Sequence, residues 1–402
     1  MIDARPTPIG LLWCSSRAGV MIAVALFGLT ACSVYRQVMG EDTVSLQDAE
    51  VLRMEADIRR PVRKICPREP VQMRVTVDAR LPGQSSATPL ETWEGDPSAR
   101  RNGMLDFGNF VFTSGQGSVD EFGWFRPDGD MLATAERGFE IRTALRHRPD
   151  RFTESRWYEP DYSCVRTAGG IGGSGRSGQS GGTGAFGSEG REGSSGESGG
   201  PGGSGEPGGS GAPGPRLQAF ATYVRTRFYE RLIAVRIEGA VSDLVLAPPD
   251  QELVLVARGG PGGNGGSGGR GGAGGDGGRG RAGRSGGPGG PGGPGGNGGP
   301  GGEGGPGGFI ELIYDGRFPD LGRLIRLDVA GGPAGEGGAG GDGGNGGDGG
   351  KGRDGGRDGR GGPGGPAGGE GYPGRPGPSG TARLRPGPVT DHFLNLPSIR
   401  PF

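Results

Sequence analysis

Apolar and polar positions alternate in short runs that occupy only part of the chain. Val71-Gln72-Met73-Arg74-Val75-Thr76-Val77 has a period of two, which predicts a β-strand with one buried face. Phe110 to Thr113 and Phe139 to Leu145 repeat the pattern more weakly. With Trp93, Trp124 and Trp157 as core residues, these runs predict a β-sandwich-like domain over residues 66–166. Further β-type runs lie at Leu217 to Thr226, Leu232 to Ile237, Leu253 to Ala257, Phe309 to Tyr314 and Leu324 to Val329. These predict a β base over residues 217–258 and 309–330. Upstream, Val44 to Ile58 predicts a helical stretch within a charged tether over residues 32–65.

What separates the base strands has a different period. Every third residue is glycine from Gly169 to Gly214 and from Gly259 to Gly307, and again from Gly332 to Gly380 with one break at Arg353. A phase of three kept this long matches the polyproline II backbone, which has three residues per turn and no internal hydrogen bonds. The fold class expected is therefore mostly β with three glycine-rich polyproline II arms, at residues 167–216, 259–308 and 331–380, and a tail at 381–402.

Counting bare glycine faces gives each arm its neighbours. Arm two reads mostly Gly-Gly-X, as at Gly286-Gly287-Pro288, so two of its three faces can be packed against. Arm one reads mostly Gly-X-Y and belongs at an edge; arm three begins like arm two and ends like arm one. The pattern is interrupted near the middle of each arm, at Gly280 to Ser285, at Gly352 to Gly355 and at Gly187 to Ser195. Each arm is then a hairpin, with legs of roughly 70 Å at about 3.1 Å per residue. Six legs in all can pack as one bundle within a single chain, which favours a monomer over a trimer.

Composition narrows the chemistry. The 402 residues include 98 Gly and 34 Pro, so no uniform globular core is possible. Lys+Arg and Asp+Glu stand at 44 and 45, which removes the electrostatic argument for a nucleic-acid partner, and two histidines leave little for imidazole chemistry. Gly-x-Gly-x-x-Gly matches follow from the periodicity and lack the strand-turn-helix context of a dinucleotide site. Gly350-Lys351 misses a phosphate-binding loop, with Asn345 in place of its first glycine and Gly352 in place of Ser or Thr. Asp342, Asn345 and Asp348 stand about 9 Å apart along a polyproline II leg, too far to share a calcium ion. Asp128-Gly129-Asp130 reads as a turn. No cofactor and no metal site is expected.

The N-terminus carries an address. Arg5 and Arg17 precede an apolar stretch, Ala18 to Leu29, of signal-peptide length, and Leu29-Thr30-Ala31-Cys32 resembles the lipobox of bacterial lipoproteins. That resemblance implies removal of residues 1–31, lipidation of Cys32 and, since Ser33 rather than Asp follows, delivery to the outer membrane. Cys14 would leave with the signal peptide, so Cys66 and Cys164 form the one remaining candidate pair, and an oxidising envelope permits their disulfide.

Three glycine-rich excursions from a β base resemble the N-terminal domain of Obg-type GTPases over Thr167 to about Pro388. These arms are longer, and no GTPase domain accompanies them. The repeats also resemble bacterial collagen-like proteins, most of all from Gly205-Glu206-Pro207 to Pro215. The expected function is that of a non-enzymatic, lipid-anchored envelope protein whose bundle is a rigid structural, adhesion or interaction module toward a protein or envelope polymer. A ligand-binding or enzymatic lipoprotein with its site in residues 66–166, and a trimeric collagen-like stalk, are the alternatives.

Overall fold

The computed structural model describes residues 43–60, 63–96 and 101–402, so Cys14 and the lipobox with Cys32 lie outside the described residues. Strands dominate, as the alternating runs require, and the chain divides into two compact units.

The first unit takes residues up to 65, 69–128 and 139–158. One sheet runs β1 (Glu50–Ile58), β3 (Val71–Arg80), β7 (Trp124–Pro127), β6 (Gly117–Val119), with β4 (Thr88–Glu91) also on β3. The other runs β2 (Lys64–Ile65), β9 (Thr153–Pro160), β8 (Phe139–Leu145), β5 (Phe110–Thr113). Residues of both sheets share the apolar core: Val51, Val75 and Val77 pack in one cluster with Phe110 and Leu145. Val44 to Ile58 is not helical. Glu50–Ile58 is a strand paired with β3, and a register shift between Val51 and Arg53 spoils its alternation. Residues 50–58 and 64–65 therefore belong to the sheets and not to a tether. Trp93 is buried and Trp124 half-buried, but Trp157 is 56% exposed and is no core residue, because its side of β9 faces solvent.

In the second unit, helix α1 (Met131–Arg137) starts on Asp130, whose carboxylate accepts from the Leu132 and Ala133 amides, and ends at Gly138, φ 68°. Cys66 and Cys164 form a disulfide, with Cα atoms 6.1 Å apart. Two sheets enclose the large core of this unit. The smaller is parallel: β10 (Thr167–Ile171), β14 (Leu253–Arg258), β16 (Ile325–Asp328). The larger runs β13 (Asp243–Ala247), β12 (Leu232–Gly239), β11 (Arg216–Arg225), β15 (Phe309–Asp315), β17 (Thr381–Gly387), with β18 (Arg400–Pro401) on β11. A single-turn helix, α2 (Leu321–Leu324), links β15 to β16.

Each glycine-rich arm leaves from one of these sheets and returns to the other. Strands β10, β14 and β16 continue into three outgoing legs, and the return legs feed β11, β15 and β17. The arms reverse where Ser194, Arg284 and Gly356 amides donate to Arg191, Arg281 and Arg353 carbonyls. Gly193 (φ 75°) and Gly283 (φ 70°) take the third position, where a type II turn needs positive φ. Asp354 (φ 49°) and Gly355 (φ 90°) fill both central positions of the third turn, the type I′ pattern, and this turn starts on Arg353, where the glycine phase breaks.

The legs are stitched together by backbone hydrogen bonds of 2.7–3.0 Å that recur every third residue. Outgoing legs lie parallel in one layer: Gly175 donates to Pro261 and Gly262 donates to Pro333. Return legs lie parallel in a second layer, where Gly199 donates to Pro291 and Gly292 to Pro363. Between layers the legs are antiparallel, through bonds such as Gly290 to Gly275, Gly272 to Gly200 and Gly344 to Gly293. Both legs of arm two are bonded to four neighbours, whereas the outgoing leg of arm one and the return leg of arm three have two each.

This contact pattern explains the glycines. A Cβ on Gly292 would lie 2.0 Å from the Gly344 carbonyl oxygen, and one on Gly293 would lie 2.0 Å from that of Gly200. No side chain fits at such distances. At the edges, by contrast, Arg176, Gln179, Asp358 and Glu370 are all exposed and occupy triplet positions that are glycine in the inner legs. Their side chains stand where a seventh leg would have to pack, and Pro373 and Pro376 remove two of the amides it would bond to. The array therefore ends at six legs.

Candidate interaction surfaces

In each Gly-Gly-X triplet of arm two both glycine amides are spent on neighbouring legs, and in all three arms the third residue of a triplet points outward. Its own N–H takes no part in the backbone ladder, so proline costs nothing there, and its fixed φ near −65° suits the extended leg. Where proline is absent, a side chain on the next leg sometimes takes the spare amide. Asn264 accepts from Glu336, Asp276 from Asp348, Asn297 from Gly369 and Ser285 from Arg357. These four contacts also fix which outward residues lie side by side.

The same alignment is set in the strands. Leu255 pairs with Leu327 and Ile310 with Ala382, the 72-residue offset that relates Asn264 to Glu336 and Asn297 to Gly369. Ala168 pairs with Leu255 and Leu217 with Ile310, which fixes the arm-one legs by offsets of 87 and 93. Two flat, exposed faces result, each about seven rows deep and three legs wide.

The two faces differ in chemistry. The outgoing face holds eight charged residues among 20 outward positions, Glu189, Arg270, Asp276, Arg279, Glu336, Asp342, Asp348 and Lys351, and two prolines, Pro261 and Pro333. The return face holds 11 prolines among 21: Pro201, Pro207 and Pro213, then Pro288, Pro291, Pro294, Pro300 and Pro306, then Pro363, Pro366 and Pro378. Its charged residues number three, Glu303, Arg360 and Arg375. Tyr372, 82% exposed, stands on this face level with Pro300, and Phe186, 78% exposed, stands on the other. Because the ladder treats outward positions alike in both layers, holding the legs together does not require this sorting.

Two clefts flank the array within the same unit. At the tips, Glu192, Arg281, Arg284 and Ser285 line about 590 Å³, with Arg281 paired to Glu192 at 3.5 Å. At the base, Arg68, Asp243, Arg258 and Asp328 line about 420 Å³ over Val254 and Val256. Arg68 meets Asp243 at 2.6 Å and so ties the segment before β3 to β13, while Arg258 donates twice to one oxygen of Asp328 and so joins β14 to β16. The Arg258 hydrogen bonds hold the Asp328 carboxyl below its ordinary range despite its burial, as Arg317 does for Asp315. Among the described residues no group of three His, Cys, Asp or Glu is arranged to hold a metal ion, and no helix is long and apolar enough to cross a membrane.

Of the residues singled out from sequence, Cys66 and Cys164 are joined, and Cys32 lies outside the described residues. The proline-rich face was missed, since finding it requires the layer and alignment of each leg. No protein-family model matches the chain, and neither a curated protein nor a solved structure matches it.

Proposed function

We propose that the protein is a lipid-anchored envelope protein whose arms form a rigid polyproline II bundle, a non-enzymatic structural or adhesive module that presents flat contact faces. The observation that carries this reading is the sorting of proline and charge onto opposite faces of a hydrogen-bonded array. Edges that admit no further leg support it as well, since they keep the module from adding neighbours sideways. The two-sheet first unit, which falls between the lipobox and the arms in sequence, serves as a β-sandwich-like domain. Partners are the membrane, through the lipid, and a protein or envelope polymer at a face.

Lipidation follows from Leu29 to Cys32. Mass spectrometry of the mature N-terminus should find acylated Cys32, and Cys32→Ser should move the protein from the membrane to the soluble fraction. An unmodified N-terminus at another residue would refute the anchor. The functional reading is tested by deleting residues 169–380 as a block: envelope cross-links of the intact protein should disappear, while metabolite profiles stay unchanged. Retained cross-links with altered metabolites would instead favour a ligand-binding or enzymatic role for the first unit.

A further inference from the structure

We propose that the proline-rich return face is a homodimer interface, on which a second copy of this chain packs face to face with its legs antiparallel to the first. The inference rests on the reading of the arms as an ordered bundle and names the partner of one face.

Burial of this face costs little. Proline has no N–H, and the carbonyls of Pro288, Pro291 and Pro294 already accept from Gly196, Gly199 and Gly202 on the neighbouring leg. Eleven of the 21 positions therefore offer no spare backbone donor that a dry contact would leave unpaired. The ridges are rigid before contact, so little conformational entropy remains to be lost. Every outward residue of this face is exposed, so nothing among the described residues covers it.

The area suits a second copy. Six steps of about 9 Å along a leg and three legs roughly 5 Å apart give a face on the order of 800 Å², the size of one partner's share of a standard interface. A contact in the plane of the layers is blocked by the edge side chains, and the opposite face carries eight charges. A two-fold contact through the proline face thus closes at two copies.

Charge then selects the direction. The central row consists of Ser204, Asn297 and Gly369, without proline or charge. A two-fold axis across the legs at this row sets Glu303 against Pro291, Arg375 against Pro363 and Tyr372 against Pro366. With an axis along the legs, Glu303 on the central leg would face Glu303 of the second copy, a like-charge contact within an apolar patch. The antiparallel arrangement avoids this.

Sedimentation equilibrium of the full chain in mild detergent, with the detergent density-matched, measures the mass, and glycine amide exchange on the same sample reports whether the arms are ordered. Twice the chain mass is expected. Pro294→Glu should weaken association at least tenfold, whereas Ser267→Glu on the opposite face should not. Ser204→Cys should form a disulfide-linked dimer on mild oxidation beyond that of the parent chain, and Pro213→Cys, far from the axis, should not. A monomer with protected glycine amides overturns the dimer and spares the bundle; a monomer with unprotected amides overturns both. A dimer insensitive to Pro294→Glu, a larger assembly, or cross-linking by Pro213→Cys in place of Ser204→Cys overturns this interface.

Discussion

Gly292→Val is expected to unfasten the outer part of arms two and three, at a cost of about 3 kcal/mol or more. The added Cβ would stand 2.0 Å from the Gly344 oxygen, which already accepts from Gly365, and 2.8 Å from the Asn345 oxygen, which accepts from Gly274. Moving that strip of backbone breaks bonds to two further legs, those of Gly365 and Gly274, and also the bond that Gly344 donates to Gly293. Overpacking contributes roughly 1–3 kcal/mol and each lost ladder bond about 0.5–1.5 kcal/mol. Pro291→Val, one residue away on the exposed face, should change stability by no more than about 0.5–1 kcal/mol, the scale of a proline effect on the unfolded chain. Thermal unfolding of the two variants, followed by a probe of the arms, checks the contrast. Equal tolerance would mean that the legs do not pack.

Loss of the Cys66–Cys164 bridge is expected to cost about 2–5 kcal/mol. The bridge spans 98 residues, a closed loop whose entropy alone accounts for about 4.7 kcal/mol. It also ties the short Cys66–Arg68 segment to the turn that precedes β10, next to the Arg68–Asp243 pair. Replacing both cysteines by alanine should lower the unfolding midpoint of the second unit, and reduction of the unmodified protein should reproduce the shift. An unchanged midpoint in the double variant would show that the bridge closes a loop already held by other contacts.

The mostly β character was legible wherever alternation was unbroken. Val71 to Val77 lies within β3, and Leu253 to Ala257 and Phe309 to Tyr314 lie within β14 and β15. It was illegible at β1, where the irregularity between Val51 and Arg53 puts side chains out of phase and leaves a charged, helix-like pattern. Helix α1 was missed although Asp130 and Gly138 mark its ends, because seven residues are too few to display a helical period. Trp157 misled because size suggests burial, whereas strand position decides it. The disulfide needed only cysteine arithmetic. The sorted faces needed three-dimensional alignment: Pro291 and Ala273 occupy equivalent places in Gly-Gly-X triplets, and only the reversal at Gly283 sends them to opposite sides.

The most direct test of the bundle is residue-resolved amide hydrogen exchange over the arms. In arm two, both glycine amides of a Gly-Gly-X triplet donate to a neighbour while the outward amide does not, as with Gly265 and Gly266 against Ser267. Protection with a period of three is therefore expected, high at Gly265, Gly266, Gly268 and Gly269 and low at Ser267 and Arg270, and extending from the base to Gly280. Uniformly fast exchange across these residues would contradict the account, since a glycine chain without the ladder has nothing to hold its amides from water.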